Sequence, residues 1–247
     1  MQYCDTSKLS IRQVDKPTAK KMIVKYHYSH LWTKCSVALG LFIDTGKQHS
    51  FFDESEEKMI GVIVYGDPIG RHSGASICET LDRTEVYELV RLFIHDGYGN
   101  NIESWFISQS FKWLNKYKPN IKALISYASP MENHTGTIYQ ATNWLYQGNN
   151  IRPNESWLFK FDENGEWQHG RTIFPYYKTN DPTKIAKQVK KPFWIKEELR
   201  KHRYVYVLTN NKKERKRIIS NLKYPVLSYP KINEQKEIKV KKINPQM

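Results

Sequence analysis

ELVRLFIHDGYGNNIESWFISQSFKWL, residues 88–114, limits the possible folds more than any other stretch of the chain. EVYELVRLFI (Glu85–Ile94) is rich in β-branched and aromatic residues and apolar on both faces, as a central strand should be. Gly97 and Gly99 follow, and then Ile102, Phe106, Phe111, Leu114 and Tyr117 recur on one helical side, with Asn100 or Asn101 as cap. A buried strand that runs through glycines into an amphipathic helix calls for a layered α/β domain. Arg91 is the anomaly, because strict alternation sets it beside Tyr87, Leu89 and Phe93 on one strand face. A guanidinium keeps its proton, and burying it unpaired is costly. Either it forms a buried salt bridge, to Glu88 or Asp96, or it is an anion or carbonyl clamp at the strand's end.

The flanking sequence fills in the layers. LSIRQVD (Leu9–Asp15) reads as a first strand, and Lys16-Pro17 opens a helix from Thr18 to about His27. VALGLFID (Val37–Asp44) and MIGVIVYGD (Met59–Asp67) read as neighbouring strands. ALISYAS (Ala123–Ser129) is a further buried strand, HTGTIYQATNW holds a short helix, and SWLFKF (Ser156–Phe161) closes a sixth strand. The fold class is α/β (α+β), with a mixed, mostly antiparallel central sheet and flanking helices. That order resembles the Gcn5-related acyltransferase (GNAT) fold. After Arg171 prolines punctuate basic stretches, with RYVYVLT (Arg203–Thr209) the one clear late strand, KERKRIISNL (Lys213–Leu222) a basic helix, and the last dozen residues flexible. Two parts are expected: a catalytic domain over 1–175 and a basic, DNA-binding extension over 176–247.

Charge supports that division. Residues 183–247 hold 19 Lys and Arg against 5 Asp and Glu, the whole of the net +14, so the remainder is neutral. A cationic segment on a neutral body implies a polyanionic partner, and interleaved aromatics favour nucleic acid over a merely solvated tail. Cys4, Cys35 and Cys78 form no C-x-x-C pair, which suits a reducing compartment and argues against a disulfide framework or a cysteine zinc site. No 18-residue apolar span or secretory start is present, so a soluble, cytoplasmic protein with no membrane partner is expected.

Several polar residues sit where chemistry could occur. Ser104 lies in the first helical turn after the strand, where free N–H groups favour anions, and Gly97, Gly99 and Asn101 could bring backbone close to a phosphate. Acyltransferases of the fold carry Gln or Arg, two residues, Gly, one residue, Gly or Ala at this turn; Gly97 and Gly99 fit, whereas Ile94 departs. KYHYSHLW (Lys25–Trp32) offers an imidazole and a phenol, His27 and Tyr28, at the end of the first helix. SYASPMENHTGTIYQATNWLY (Ser126–Tyr146) follows a central strand and contributes His134, Gly136 and Tyr139.

Taken together, HYS near the first helix, RL followed by N-x-x-S, HTGTIYQATNWLY and the late KHRYVY (Lys201–Tyr206) resemble the phage Mom proteins, from about Tyr26 to Tyr206. The resemblance implies an acyltransferase-like enzyme that adds a carbamoylmethyl group to the exocyclic amine of adenine in double-stranded phage DNA, shielding it from host restriction. It implies catalytic roles for His27, Tyr28, Arg91, Ser104 and Tyr139, with Arg91, Gly97, Gly99, Asn101 and Ser104 holding acetyl-CoA or a related donor. Trp32, Ser129, Glu132 and His134 would line the base pocket. The family carries Asp where this chain has Ser129; that Asp would serve a metal such as iron or orient a base, and Glu132 is the nearby substitute. An ordinary acyl-CoA-dependent N-acyltransferase and a non-catalytic DNA-binding relative are the alternatives.

Overall fold

The computed structural model describes residues 5–46, 57–68, 74–149, 156–231 and 238–245. The chain forms two compact units, one of residues 1–127, 136–147 and 203–229, the other of residues 128–135, 148–202 and 230–247.

The first unit is built on a seven-stranded sheet. Strand β1 (Leu9–Gln13) leads to helix α1 (Lys16–Tyr26), where Asp15 caps the Thr18 N–H and proline occupies the first turn at no hydrogen-bond loss. Strands β2 (Val37–Asp44), β3 (Glu57–Gly66) and β4 (Val86–Ile94) complete an antiparallel meander with β1. Helix α2 (Ile102–Tyr117) then crosses over to β5 (Ala123–Ala128), which pairs with β4 in parallel. Short helix α3 (Thr137–Gln140) precedes β6 (Leu145–Tyr146). The sheet is therefore mixed and mostly antiparallel, as the sequence pattern predicts. On one face α1 buries Ala19 and Ile23 against Ala38, Val62 and Val64.

The other strands fall differently from expectation. The run at Ser156–Phe161 is strand β7 (Trp157–Lys160), and it lies in the second unit's sheet. Its expected place is filled by the late strand, which inserts between β5 and β6 to give the order β1-β2-β3-β4-β5-β10-β6, where β10 is His202–Val207. Both faces of that strand are buried, and Val205 and Val207 share a core cluster with Val86, Ala123 and Ile125. Its Arg203 is a structural cation: Nε donates to Gln147 Oε1 at 2.8 Å, and Nη2 to the Ser76 carbonyl at 2.9 Å. Helix α6 (Lys212–Ser220), basic on its outer side, is tied to the same cluster through Ile218, whose burial contributes roughly 1.5–3 kcal/mol. The compact units thus do not divide at residue 175, because residues 203–229 belong to the first.

The second unit holds an antiparallel four-stranded sheet, β11-β9-β7-β8, with β8 (Gln168–His169), β9 (Phe193–Glu197) and β11 (Val240–Ile243). Phe159, Phe193 and Ile195 meet Ile173 of α4 (Gly170–Tyr177) and Ile185 of α5 (Pro182–Ala186) in its core. The expected flexible end is in part this ordered strand β11, held because Ile243 packs on that core. Among the described residues no helix is long and apolar enough to cross a membrane.

Candidate active site

Strands β4 and β5 part soon after they meet. Their ladder joins only Val86, Tyr87 and Glu88 to Ala123, Leu124 and Ile125, which leaves a fork beyond Glu88. On the other edge of β4 the register slips: Leu89 opposes Tyr65, yet Arg91 opposes Val64. Val90 is the extra residue of a β-bulge, and a bulge switches the face on which later side chains project. Directly opposed residues share a face. Arg91 and Phe93 therefore lie with Val64 and Val62, on the side α1 covers, and Leu89 does not. The strict alternation expected across Tyr87, Leu89, Arg91 and Phe93 is broken at that point.

The bulge explains how the strand accommodates the charge. Arg91 Nη1 donates to the Val90 carbonyl at 2.6 Å, at the bulge itself. Arg91 Nε donates to the Leu31 carbonyl at 3.2 Å, which ties β4 to the segment after α1. Neither Glu88 nor Asp96 pairs with it, so in place of the expected salt bridge the guanidinium is held by two backbone carbonyls of the chain itself. Nη2 donates to nothing among the described residues.

Ser126 spans the mouth of the fork. Its buried hydroxyl lies 2.9 Å from the Leu89 carbonyl and 2.8 Å from the Tyr139 phenol oxygen. A carbonyl only accepts and a serine has one proton, so Ser126 donates to Leu89 and the Tyr139 phenol donates to Ser126. Burial pushes the Tyr139 phenol up to about 12, an effect that nearby Tyr28, Glu88 and Tyr204 reinforce. Tyr139 is thus a neutral, oriented phenol at ordinary pH. Trp144 and Tyr204 hold its ring, each with centroid 5.1 Å away. Gly136 is required here: it has φ +85°, and a Cβ would stand 2.5 Å from the Tyr204 ring and 3.0 Å from that of Tyr139. A second relay of the same form lies nearby, in which Tyr65 donates to Ser110 at 2.6 Å and Ser110 to the Ile107 carbonyl.

His27 caps α1 and is only 6% exposed, whereas Tyr28 is 57% exposed. The Ser29 backbone N–H donates to His27 Nδ1 at 3.1 Å, which sets the proton of the neutral ring on Nε2. The His27 and Tyr28 rings lie 4.2 Å apart. The loop Gly97–Asn101 has three left-handed positions, with φ of 92° at Gly97, 105° at Gly99 and 65° at Asn101. Open space surrounds Gly97. Asn101 makes no side-chain cap on α2, so the first-turn N–H groups face outward. Ser104 turns inward on its own helix and donates to the Asn101 carbonyl at 2.9 Å.

His27, Tyr28, Arg91 and Tyr139 are therefore linked at the fork, whereas Ser104 stands with the loop at the helix start. Trp32 is half-buried and packs against the α1 core cluster. Ser129, Glu132 and His134 belong to the second unit. There Ser129 leads a short 3-10 turn, accepting from the Glu132 and His134 N–H groups, and the side chains of Glu132 and His134 are exposed. Among the described residues no group of three or more His, Cys, Asp or Glu side chains could hold a metal ion. An open cleft of about 770 Å³, lined in part by Asn115, Lys122, Asn211, Lys213 and Arg217, lies at the C-terminal end of α2 and contains none of these residues.

Ser126 and Glu88 were not singled out by the sequence pattern. Ser126 had one signal, a hydroxyl within an apolar strand run that ends at a polar loop; Glu88 had none, since it appears there only as a counterion for Arg91.

A sequence model of the Mom protein family matches residues 8–231. The methylcarbamoylase Mom of Escherichia phage Mu is 26% identical over 227 residues, which cover 92% of this chain and 85% of that protein. Among solved structures, a spermidine N-acetyltransferase from Vibrio cholerae aligns over 82% of this chain and 95% of its own, at 8% identity and a TM-score of 0.44. A GNAT-family acetyltransferase from Streptococcus pneumoniae aligns over 81% and 99%, at 10% identity and a TM-score of 0.41.

Proposed function

The chain belongs to the Mom protein family, and from that premise we propose that it is a DNA-modifying transferase acting on the exocyclic amine of adenine with a carbamoylmethyl-type group. One observation supports the reading: within the matched region, four of the five residues that the resemblance marks as catalytic, His27, Tyr28, Arg91 and Tyr139, are linked near a strand fork, with Ser104 apart at the helix start. Arg91 reaches the Tyr28 segment through Leu31, and Tyr139 and Tyr28 lie within electrostatic range of each other. The phage Mu relative bears the name methylcarbamoylase, which supports the same group transfer.

The adenine amine is a weak nucleophile, since its lone pair is delocalised into the ring. Transfer forms a bond from the amine nitrogen to the donor's methylene carbon, breaks that carbon's bond to its leaving group, which departs with the electron pair, and releases one amine proton. The base must first leave the duplex stack, which costs about a few kcal/mol. Tyr139, neutral and fixed through Ser126, orients the base by accepting at its phenol oxygen. Glu88, whose charge Tyr139 feels, takes the released proton. His27, with its proton on Nε2, acts as a donor and fixes the Tyr28 ring beside it.

The acetyl group of acetyl-CoA has no amide nitrogen, so a related donor that already carries the carbamoylmethyl group on a leaving atom would supply it. The residues present suit an anionic donor: Arg91 Nη2, unpaired among the described residues, the open Gly97–Asn101 loop and the uncapped first turn of α2 that includes Ser104. Among the described residues no side-chain group suits iron or another metal. Exposed basic residues of α6, Lys212, Lys213, Lys216 and Arg217, contribute phosphate contacts to double-stranded DNA. With phage DNA as substrate the working compartment is the host cytoplasm, and a substituted amine hinders restriction nucleases that read adenine.

Nucleoside mass spectrometry of DNA from cells expressing the chain tests this. A carbamoylmethylated deoxyadenosine, absent with Tyr139→Phe and Arg91→Ala, is the expected result. Unmodified DNA together with acetyl-CoA turnover on small amines would replace the reading by an ordinary acyltransferase. DNA binding with no turnover of any kind would leave a binding protein.

A further inference from the structure

The outer face of the second unit's sheet is unusual for a surface with no assigned role. Residues alternate in β7, β9 and β11, so Phe159, Phe193, Ile195 and Ile243 point into the core. The cross-strand partners Lys160 with Trp194, and Trp194 with Lys242, take the opposite face, as does Lys196 opposite Leu158. Trp167, from the loop before β8, joins them. Lys160 lies 5.5 Å from the Trp167 ring and 5.6 Å from that of Trp194, Lys196 lies 4.5 Å from Trp167, and Lys242 lies 5.4 Å from Trp194. None of the three lysines pairs with a carboxylate among the described residues. On this face Glu198 is engaged by His169, at 3.1 Å, and by Ser156. The Lys196 ammonium is shifted below its ordinary value by burial first and by the charge of Lys160 second, as expected where positive charge is uncompensated.

We propose that this face, built on Trp167, Trp194, Lys160, Lys196 and Lys242, seats an unpaired stretch of DNA. The proposal rests on the DNA-modifying reading above, which requires bases to leave the stack. Contacts between an ammonium and an indole are weak and readily exchanged. A phosphodiester offers each lysine a full negative charge, and the released indole faces accept bases, as in platforms that bind single strands without reading sequence. A paired duplex keeps its bases stacked on one another and cannot use the rings. An acidic peptide would satisfy the lysines and leave the tryptophans without a partner.

The test is equilibrium binding of a fluorescein-labelled deoxythymidine oligomer to the full chain across a salt series, with nucleoside analysis of adenine modification in parallel. Lys160→Gln, Lys196→Gln and Lys242→Gln together should lower the slope of log affinity against log salt by about 2, since each lost contact to a single strand removes about 0.7. Trp167→Ala and Trp194→Ala should each weaken binding at least about five-fold, with Trp194→Phe retaining most of it. The phenylalanine variant, checked by thermal unfolding, keeps the test valid should an alanine variant fold poorly. Unchanged affinity and salt slope in the lysine variant, alongside normal adenine modification by the wild type, overturn the surface and leave the function standing. Oligomer binding that depends on these residues, with no modified adenine in any sample, supports the surface and removes the function. Equal competition by polyglutamate, or equal use of both tryptophans by intact duplex, also overturns the proposal.

Discussion

Ser126 and Tyr139 should be coupled in stability and in activity. Tyr139→Phe removes a phenol whose proton goes to Ser126, while Ser126 goes on donating to the Leu89 carbonyl. Loss of that one bond lowers stability by about 0.5–1.5 kcal/mol. Ser126→Ala is more disruptive, since it leaves two buried groups without partners, the phenol O–H and the Leu89 carbonyl, at about 1–3 kcal/mol each. In the double variant only the carbonyl is left stranded. The penalty for the phenol and the lost bond then vanish together, and the coupling is about 3 kcal/mol, from roughly 1.5 to 4.5. Urea unfolding of the four proteins measures it. Adenine modification should fall in both single variants, fall no further in the double than in Tyr139→Phe, and be largely kept by Ser126→Thr. Additivity within about 0.5 kcal/mol would refute the relay, because independent sites add to that accuracy.

Three further outcomes are expected. Arg91→Lys keeps the charge but offers one ammonium where the guanidinium meets the Leu31 and Val90 carbonyls and still presents Nη2. Modification should drop at least about ten-fold for a stability loss near 1 kcal/mol, and an unchanged rate would remove Arg91 from the site. Glu88→Gln should fold normally and abolish modification in initial-rate assays; a wild-type rate would send the proton elsewhere. The Tyr139 phenol is raised from 10.0 to about 12, so its contribution to stability is complete below pH 10 and lost as pH climbs through 12. That loss amounts to about 1.4 kcal/mol per pH unit in the window, and urea midpoints of Tyr139→Phe should fall less steeply there than those of the wild type.

Much of the first unit was legible because its strands and helices are periodic. Val37–Asp44 matches β2 at both ends, and Asn101 is the α2 cap. The late strand was also visible, but its partner was not: HRYVYV reads as a strand without saying which sheet it enters. SWLFKF is equally strand-like, and only long-range packing sends it to a different sheet. Local propensity carries no information on such pairings. Arg203, basic in sequence and next to Lys201, would have been assigned to a DNA surface by charge alone, yet it is 5% exposed and bound to neutral oxygens.

The face on which Arg91 lies was the hardest feature to infer, because a single extra residue decides it. With strict alternation Arg91 would share a face with Leu89, toward the side where Tyr65 donates to Ser110. Nothing in ELVRLFI marks Val90 as a bulge, since no glycine or proline interrupts the run. The bulge has two effects on the chemistry. It sends the guanidinium toward the segment that carries His27 and Tyr28, and it disrupts the ladder just where β5 departs, leaving the Leu89 and Val90 carbonyls to side-chain donors. Ser126 takes the first and Arg91 the second. The donor that fixes Tyr139 and the cation that faces the fork are thus both held by one irregularity. Deleting Val90 would remove the bulge yet leave Arg91 opposite Val64, on the face away from Leu89, so the guanidinium would lose the Val90 carbonyl and keep its reach to Leu31.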